Sequence, residues 1–384
     1  MPSFSPAHQC TAKLRAYESL RYGAFVHFNM QPFFSTPDEF CLENDPAHWN
    51  PSQLDVEQWF RCFWEAGFRY AVLTAKHTSD FCLWPTHTTA SHVMNSPVKV
   101  DIVGEFVRFA RMYQIRPCLY YCLWGGTYNH RPDARSILLA QLRELLENYG
   151  DLFLLWLDMG CWRPENLSIQ EIYDFVKSIQ PDILVHFNQH LQDGSELAYF
   201  PTDLVNGEER LPPETGHQKE RLVNGKRYYL PMESEFCLQQ TDAPVGNGYM
   251  TGTRWFTYGE GLPGVTPSHP LDPDTLLPLI ETAYDRGAST LLLSTAPDHT
   301  GRMRACDTGT LKVLRDRLCR DGYLPALAAD ESVSRPSFSL HRFHKKRRTG
   351  PFSGSVRPSS FYRAFTLALL LYALRLLPLT ARTV

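Results

Sequence analysis

Apolar runs of strand length alternate with amphipathic helical stretches about eight times over roughly 320 residues of this 384-residue chain. Such alternation favours a parallel α/β fold, and the count suits a (β/α)8 TIM-type barrel better than an open sheet. The strand-like runs are residues 23–28, 70–74, 116–123, 153–158, 183–187, 227–230 and 289–294. A seventh strand is the gap in the series, because nothing between Tyr249 and Thr266 is a clean apolar run. Between the runs, Asp55 with Gln58 and Ser168 with Glu171 stand at capping-box spacing and open helices. Leu138, Leu142, Leu145 and Leu146 line one helical face, with Gly150 past its end. No GxGxxG or P-loop follows a strand, and no solenoid-period repeat is present.

The most telling run is residues 153–160, FLLWLDMG, which ends on a single carboxylate, Asp158. An ionisable group at the C-terminal end of a buried parallel strand packs poorly, and in a barrel that end carries the chemistry. The competing reading is a structural or helix-capping aspartate. On a barrel, the same face gathers His27, His77, Trp84, Trp124, Asn188, Glu233, Glu235 and Trp255. Imidazoles and amides orient hydroxyls, indoles cover the apolar face of a ring, and two carboxylates can cleave an acetal. That inventory fits a sugar. Zinc held by His27, His77 and Asp158 is the rival, but residue 29 is Asn where barrel metallohydrolases carry the second histidine of a close pair. No metal site and no cofactor is therefore expected.

Charge is unevenly placed. Beyond Glu331 there are ten basic residues and no acidic one, leaving 28 basic against 41 acidic residues in the rest. An acidic body gives no electrostatic footprint for nucleic acid. Residues 1–330 read as one catalytic domain and 331–384 as a basic, disordered tail. The eleven apolar residues 364–374 are too few to span a bilayer, and a membrane-surface anchor is the alternative to an ancillary role. Ten scattered cysteines without a CxxC pair, and an N-terminus lacking a secretory apolar core, point to free thiols and a cytoplasmic address.

GAFVHFNM, the Glu39-Phe40 pair, LTAKHTSDFCLWPT, DIVGEF, LYYCLW and LWLDMG occur in this order. In that order they resemble the α-L-fucosidases of glycoside hydrolase family 29. The likeness is fullest over residues 21–160 and looser to residue 318, through NGYMTGTRWF and GASTLLLSTAPDHTGR. It implies a (β/α)8 catalytic domain and retaining hydrolysis of terminal α-L-fucose on a fucosylated glycan or glycoside. Asp158 matches the nucleophile and Trp156 the tryptophan two residues before it. His27, Glu39, His77 and Trp84 match the sugar-binding set, to which Trp255 is added from the inventory above. The acid/base falls in a poorly matched region: Glu233 is the first choice and Glu235 the second, with Glu208 and Glu209 set aside. Three features depart from the pattern. Thr78 replaces a second histidine, Asn29 replaces a glycine, and the family's common C-terminal β-sandwich has no counterpart after Asp330. Thr78 keeps a related sugar such as α-L-galactose open, and a non-catalytic carbohydrate-binding protein is the alternative from a different class.

Overall fold

The computed structural model describes residues 3–34, 41–125, 131–159, 167–190, 193–241 and 252–325. Eight parallel strands form one sheet: β1 (Tyr22–Val26), β2 (Tyr70–Lys76), β3 (Arg116–Cys122), β4 (Leu154–Asp158), β5 (Leu184–Phe187), β6 (Val205–Glu208), β7 (Met232–Cys237) and β8 (Thr290–Ser294). Their order, β5-β4-β3-β2-β1-β8-β7-β6, follows the chain around a barrel from β1 in both directions. No ladder joins β5 to β6 among the described residues. Instead, the Val185 N–H donates to Asp203 Oδ2 at 2.8 Å, the Phe187 N–H to Thr202 Oγ1 at 3.2 Å and the Gln189 N–H to Asn206 Oδ1 at 2.7 Å. With one backbone bond, from the Asp203 N–H to Val185 O at 2.8 Å, these side-chain bonds close the seam of a (β/α)8 barrel.

Helices cover the outside in the expected order: α1 (Ala12–Leu20), α2 (Val56–Glu65), α3 (Ile102–Met112), α4 (Ala134–Asn148), α5 (Ile169–Ile179), α6 (Pro273–Asp285) and α7 (Ala305–Arg320). The Ser168–Glu171 capping box at α5 is present in both directions. At α2 only half of the expected box forms: Asp55 accepts from the Gln58 N–H at 2.9 Å, while the Gln58 amide donates across to Met303 O at 2.9 Å.

Two strands lie elsewhere than the sequence pattern suggests. The apolar run at residues 227–230 is not a barrel strand. Lys226–Tyr229 pairs antiparallel with Glu220–Val223 in a separate hairpin, and Tyr228 and Leu230 pack with Val205 in a small satellite core. The sixth barrel strand is the polar segment Val205–Glu208, and the seventh is Met232–Cys237. This shift moves Glu208 to a strand's C-terminal end and moves Glu233 and Glu235 inside a strand. The expectations for residues 331–384 lie outside the described residues. Among the described residues, no helix is long and apolar enough to cross a membrane.

Side chains alternate across a strand, so residues two apart share a face. Trp156 and Asp158, His186 and Asn188, Asn206 and Glu208, and Glu233 and Glu235 are such pairs on β4 to β7 and just beyond. Their first members form a lower polar layer inside the barrel. There the Glu233 carboxylate accepts from Tyr17 Oη at 2.9 Å, Tyr70 Oη at 2.6 Å and Trp156 Nε1 at 3.1 Å, with His186 Nδ1 at 3.5 Å. Glu233 is fully buried and in register with Thr290, the first residue of β8. It ties α1, β2, β4 and β5 together from within. Gly23 makes room for this layer, because a Cβ there would run into the Tyr70 ring.

Candidate active site

Above the lower layer, the strand ends converge on Asp158. Tyr120 Oη donates to its Oδ2 at 2.7 Å, Trp124 Nε1 to the same oxygen at 3.0 Å, and Asn188 Nδ2 to Oδ1 at 3.3 Å. Three donors thus converge on a carboxylate that is 9% exposed. Asn188 Nδ2 also donates to Glu208 Oε2 at 3.1 Å. One amide, at the end of β5, therefore bridges the carboxylates that end β4 and β6. The two hydrogens of an amide nitrogen diverge by about 120°.

The two carboxyls have different surroundings. Burial pushes Glu208 up to about 7, the His190 imidazole beside it pulls the other way, and the negative charge of Asp158 adds to the rise. Its side chain is 17% exposed, with His190 Nδ1 3.8 Å from Oε2. The result is one carboxylate rich in donors beside one carboxylic acid that titrates near neutrality, which is the division of labour that two-carboxyl chemistry needs.

Two imidazoles and an indole continue outward from Tyr120. His77 stacks on Tyr120 with ring centroids 5.5 Å apart, and His27 lies 5.9 Å from His77 and 5.2 Å from the Trp255 ring. Burial lowers His77 to about 4 and holds His27 well below the usual imidazole range. Both rings are neutral near pH 7, suited to hydrogen bonding a hydroxyl rather than to neutralising a charge. Thr78 is fully buried beside His77: its hydroxyl donates to Cys41 O and accepts from Gln31 Nε2, each at 3.2 Å, and lies 3.3 Å from His77 Nδ1. Gln31 Nε2 also meets His77 Nδ1 at 2.7 Å.

Several residues expected at the site stand elsewhere. Trp156 is 2% exposed and sits one layer below Asp158, stacked on Tyr120 and bonded to Glu233. Trp84 is 1% exposed, and its indole N–H donates to Glu144 of α4 at 2.8 Å. Glu39 lies outside the described residues. Glu233 lies in the lower layer, fully buried, with both oxygens accepting from protein donors. Glu235 shares the level of Glu208, its register partner across β6 and β7, but is fully buried. Among the described residues, the side chains close enough to share an ion are His186, Glu233 and Glu235, within 4.8 Å of one another. With both Glu233 oxygens already occupied, this cluster reads as polar core. The sequence reading did not single out Tyr120, and it set Glu208 aside in favour of Glu233 and Glu235. The only available signal for Glu208 was its place two residues after Asn206 in a short polar strand.

The α-L-fucosidase family profile matches residues 7–312. The chain belongs to the α-L-fucosidase family. A fucosidase-named protein of Oryza sativa subsp. japonica is 40% identical over 141 residues, 35% of this chain and 27% of its own length. Alpha-L-fucosidase 1 of Arabidopsis thaliana is 33% identical over 141 residues, 35% of this chain and 28% of its own. The matched stretch thus spans less than a third of either relative. Among solved structures, an α-L-fucosidase of family 29 from Bacteroides thetaiotaomicron superposes with a TM-score of 0.62 at 19% identity, covering 83% of this chain and 77% of the other. That likeness establishes the fucosidase barrel as the fold.

Proposed function

We propose that this chain hydrolyses terminal α-L-fucosides with retention of configuration, Asp158 acting as nucleophile and Glu208 as acid/base. The observation that carries the reading is the Asn188 amide donating to both carboxylates at the ends of β4 and β6. Ionised Asp158 attacks the anomeric carbon as Glu208 protonates the departing glycosidic oxygen, which gives a covalent glycosyl-enzyme. Glu208, now a carboxylate, then takes a proton from water as the water oxygen displaces Asp158 and regenerates both groups. His27 and His77 offer neutral imidazoles to the sugar hydroxyls, and Trp255 offers an indole face. The fucosylated substrate follows from the family to which the chain belongs.

The test is hydrolysis of an aryl α-L-fucoside by wild type and by Asp158→Gly, with and without azide. Turnover by the wild type, loss in the variant and azide rescue as the β-fucosyl azide are expected. A folded wild type that spares the fucoside but cleaves another aryl glycoside, such as an α-L-galactoside, would replace the sugar and keep the carboxylate pair. One that cleaves nothing in such a panel would overturn the catalytic reading in favour of carbohydrate binding.

A further inference from the structure

We propose that Asn206 is a positioning residue that orients the Asn188 amide toward Asp158 and Glu208; the inference rests on the roles just assigned to that pair. The two ends of an amide side chain are alike in shape, so its direction must come from neighbours whose chemistry is fixed. A peptide N–H can only donate. The Gln189 N–H donates to one end of Asn206 at 2.7 Å, which makes that end Oδ1 and the other Nδ2. Asn206 Nδ2 donates to Asn188 Oδ1 at 2.8 Å, and the His190 N–H reaches the same oxygen at 2.8 Å. Asn188 Nδ2 is then the end that faces the two carboxylates. Reversed, Asn188 would aim its carbonyl oxygen at the acceptor oxygens of Asp158 and Glu208. Both asparagines are buried, Asn206 fully and Asn188 to within 4%.

Position reinforces direction. Asn206 lies on β6 two residues before Glu208, and β5 and β6 share no backbone ladder among the described residues. The bonds from Asn206 to Gln189 and Asn188 therefore join the strand that carries Glu208 to the end of the neighbouring strand. Without the Asn206 donor, a single N–H from His190 holds Asn188 Oδ1, and the amide loses one of the two bonds that set its direction and tilt. Glu208 then loses a donor that favours its ionised form.

The experiment pairs Asn206→Leu and Asn188→Ala with their double variant. It also follows the Glu208 carboxyl titration by NMR of carbon-13-labelled glutamate, with Glu208→Gln assigning the signal. Expected in Asn206→Leu are an upward move of the Glu208 titration and a loss of roughly 10–100-fold in kcat/KM, part of the 10²–10⁴ a positioned acid supplies. The double variant is expected to be no worse than Asn188→Ala, because both changes remove one interaction. Should Asn206→Leu fail to fold, Asn206→Asp keeps the acceptor for Gln189 and removes the donor, and its non-additivity with Asn188→Ala is the criterion. An unmoved Glu208 titration, or losses that multiply in the double variant, would overturn the proposal. Because the titration uses no substrate, a wild type inactive on fucosides would overturn the proposed activity alone.

Discussion

Asp158 and Glu208 end strands that are not neighbours in the barrel, and a single amide between them, that of Asn188, donates to both. The pair shares a donor while differing in environment: Asp158 accepts from two further groups, whereas Glu208 is raised to about 7 chiefly by burial. An acid is active while it holds its proton. Activity is therefore expected to fall as pH rises through about 7, with Glu208 as its cause. In Glu208→Gln that alkaline limb should vanish. The variant should lose about 10²–10⁴-fold on substrates with poor leaving groups and much less on activated aryl glycosides. A pH–rate profile of kcat/KM for both proteins checks this, and an unchanged limb in Glu208→Gln would reassign the acid.

Glu233 is expected to matter for stability rather than for the pH profile. Burial pushes its carboxyl up, but the His186 side chain and the two phenols outweigh that and hold it below the usual value. Replacing one oxygen by the NH2 of glutamine sets donor against donor, at a cost of about 1.5–3 kcal/mol for a bond to a charged group. A carboxyl with a depressed folded pKa contributes stability above its unfolded value of about 4.3, and loses it as pH falls through the folded value. The melting temperature of Glu233→Gln should thus lie below wild type at pH 7, with the gap closing below about pH 4. Thermal unfolding at both pH values decides the matter.

Asp158 and Glu208 show what the sequence could and could not reveal. Asp158 was legible because five apolar residues run into it, so the strand and its end were visible together. Glu208 was not, because β6 is only VNGE and its inward positions, Asn206 and Glu208, are both polar. A strand held by side chains along one edge and lined by site residues carries no apolar signature. The nearby run ending at Leu230 does, and it mimics a barrel strand while packing in a satellite core. Displacing the sixth strand in this way made Glu233 and Glu235 look like strand-end residues. The orientation of Trp84 toward Glu144 was equally hidden, since it depends on a helix sixty positions away in sequence.

Gly23 on β1 is expected to be intolerant of even a methyl group. Its missing side chain is the space filled by the Tyr70 ring, whose hydroxyl bonds Glu233 at 2.6 Å. Both atoms belong to the closely packed barrel interior, so Gly23→Ala must displace the ring and stretch that bond. Overpacking of this kind costs about 1–3 kcal/mol. Urea unfolding should show a lower midpoint with an unchanged slope. In a Tyr70→Phe background, where the bond to Glu233 is already gone, the further loss from Gly23→Ala should be smaller.

Glu235 gives the opposite sign to Glu233. It is fully buried, and among the described residues neither oxygen meets a partner in hydrogen-bonding geometry. Burial, together with the charges of Glu233 and Glu208, pushes its carboxyl well above the usual range, with Asn206 beside it pulling the other way. In the folded protein it is therefore a neutral acid. A raised folded pKa contributes stability that is full below the unfolded value of about 4.3 and is lost as pH rises toward the folded one. Glutamine copies the neutral acid in shape and removes this loss. Glu235→Gln should accordingly match wild type near pH 4 and exceed it in melting temperature at pH 7 to 8, with the margin growing as pH rises. Melting curves across that range test the assignment, and a glutamine variant less stable than wild type at pH 8 would mean that Glu235 works as a carboxylate.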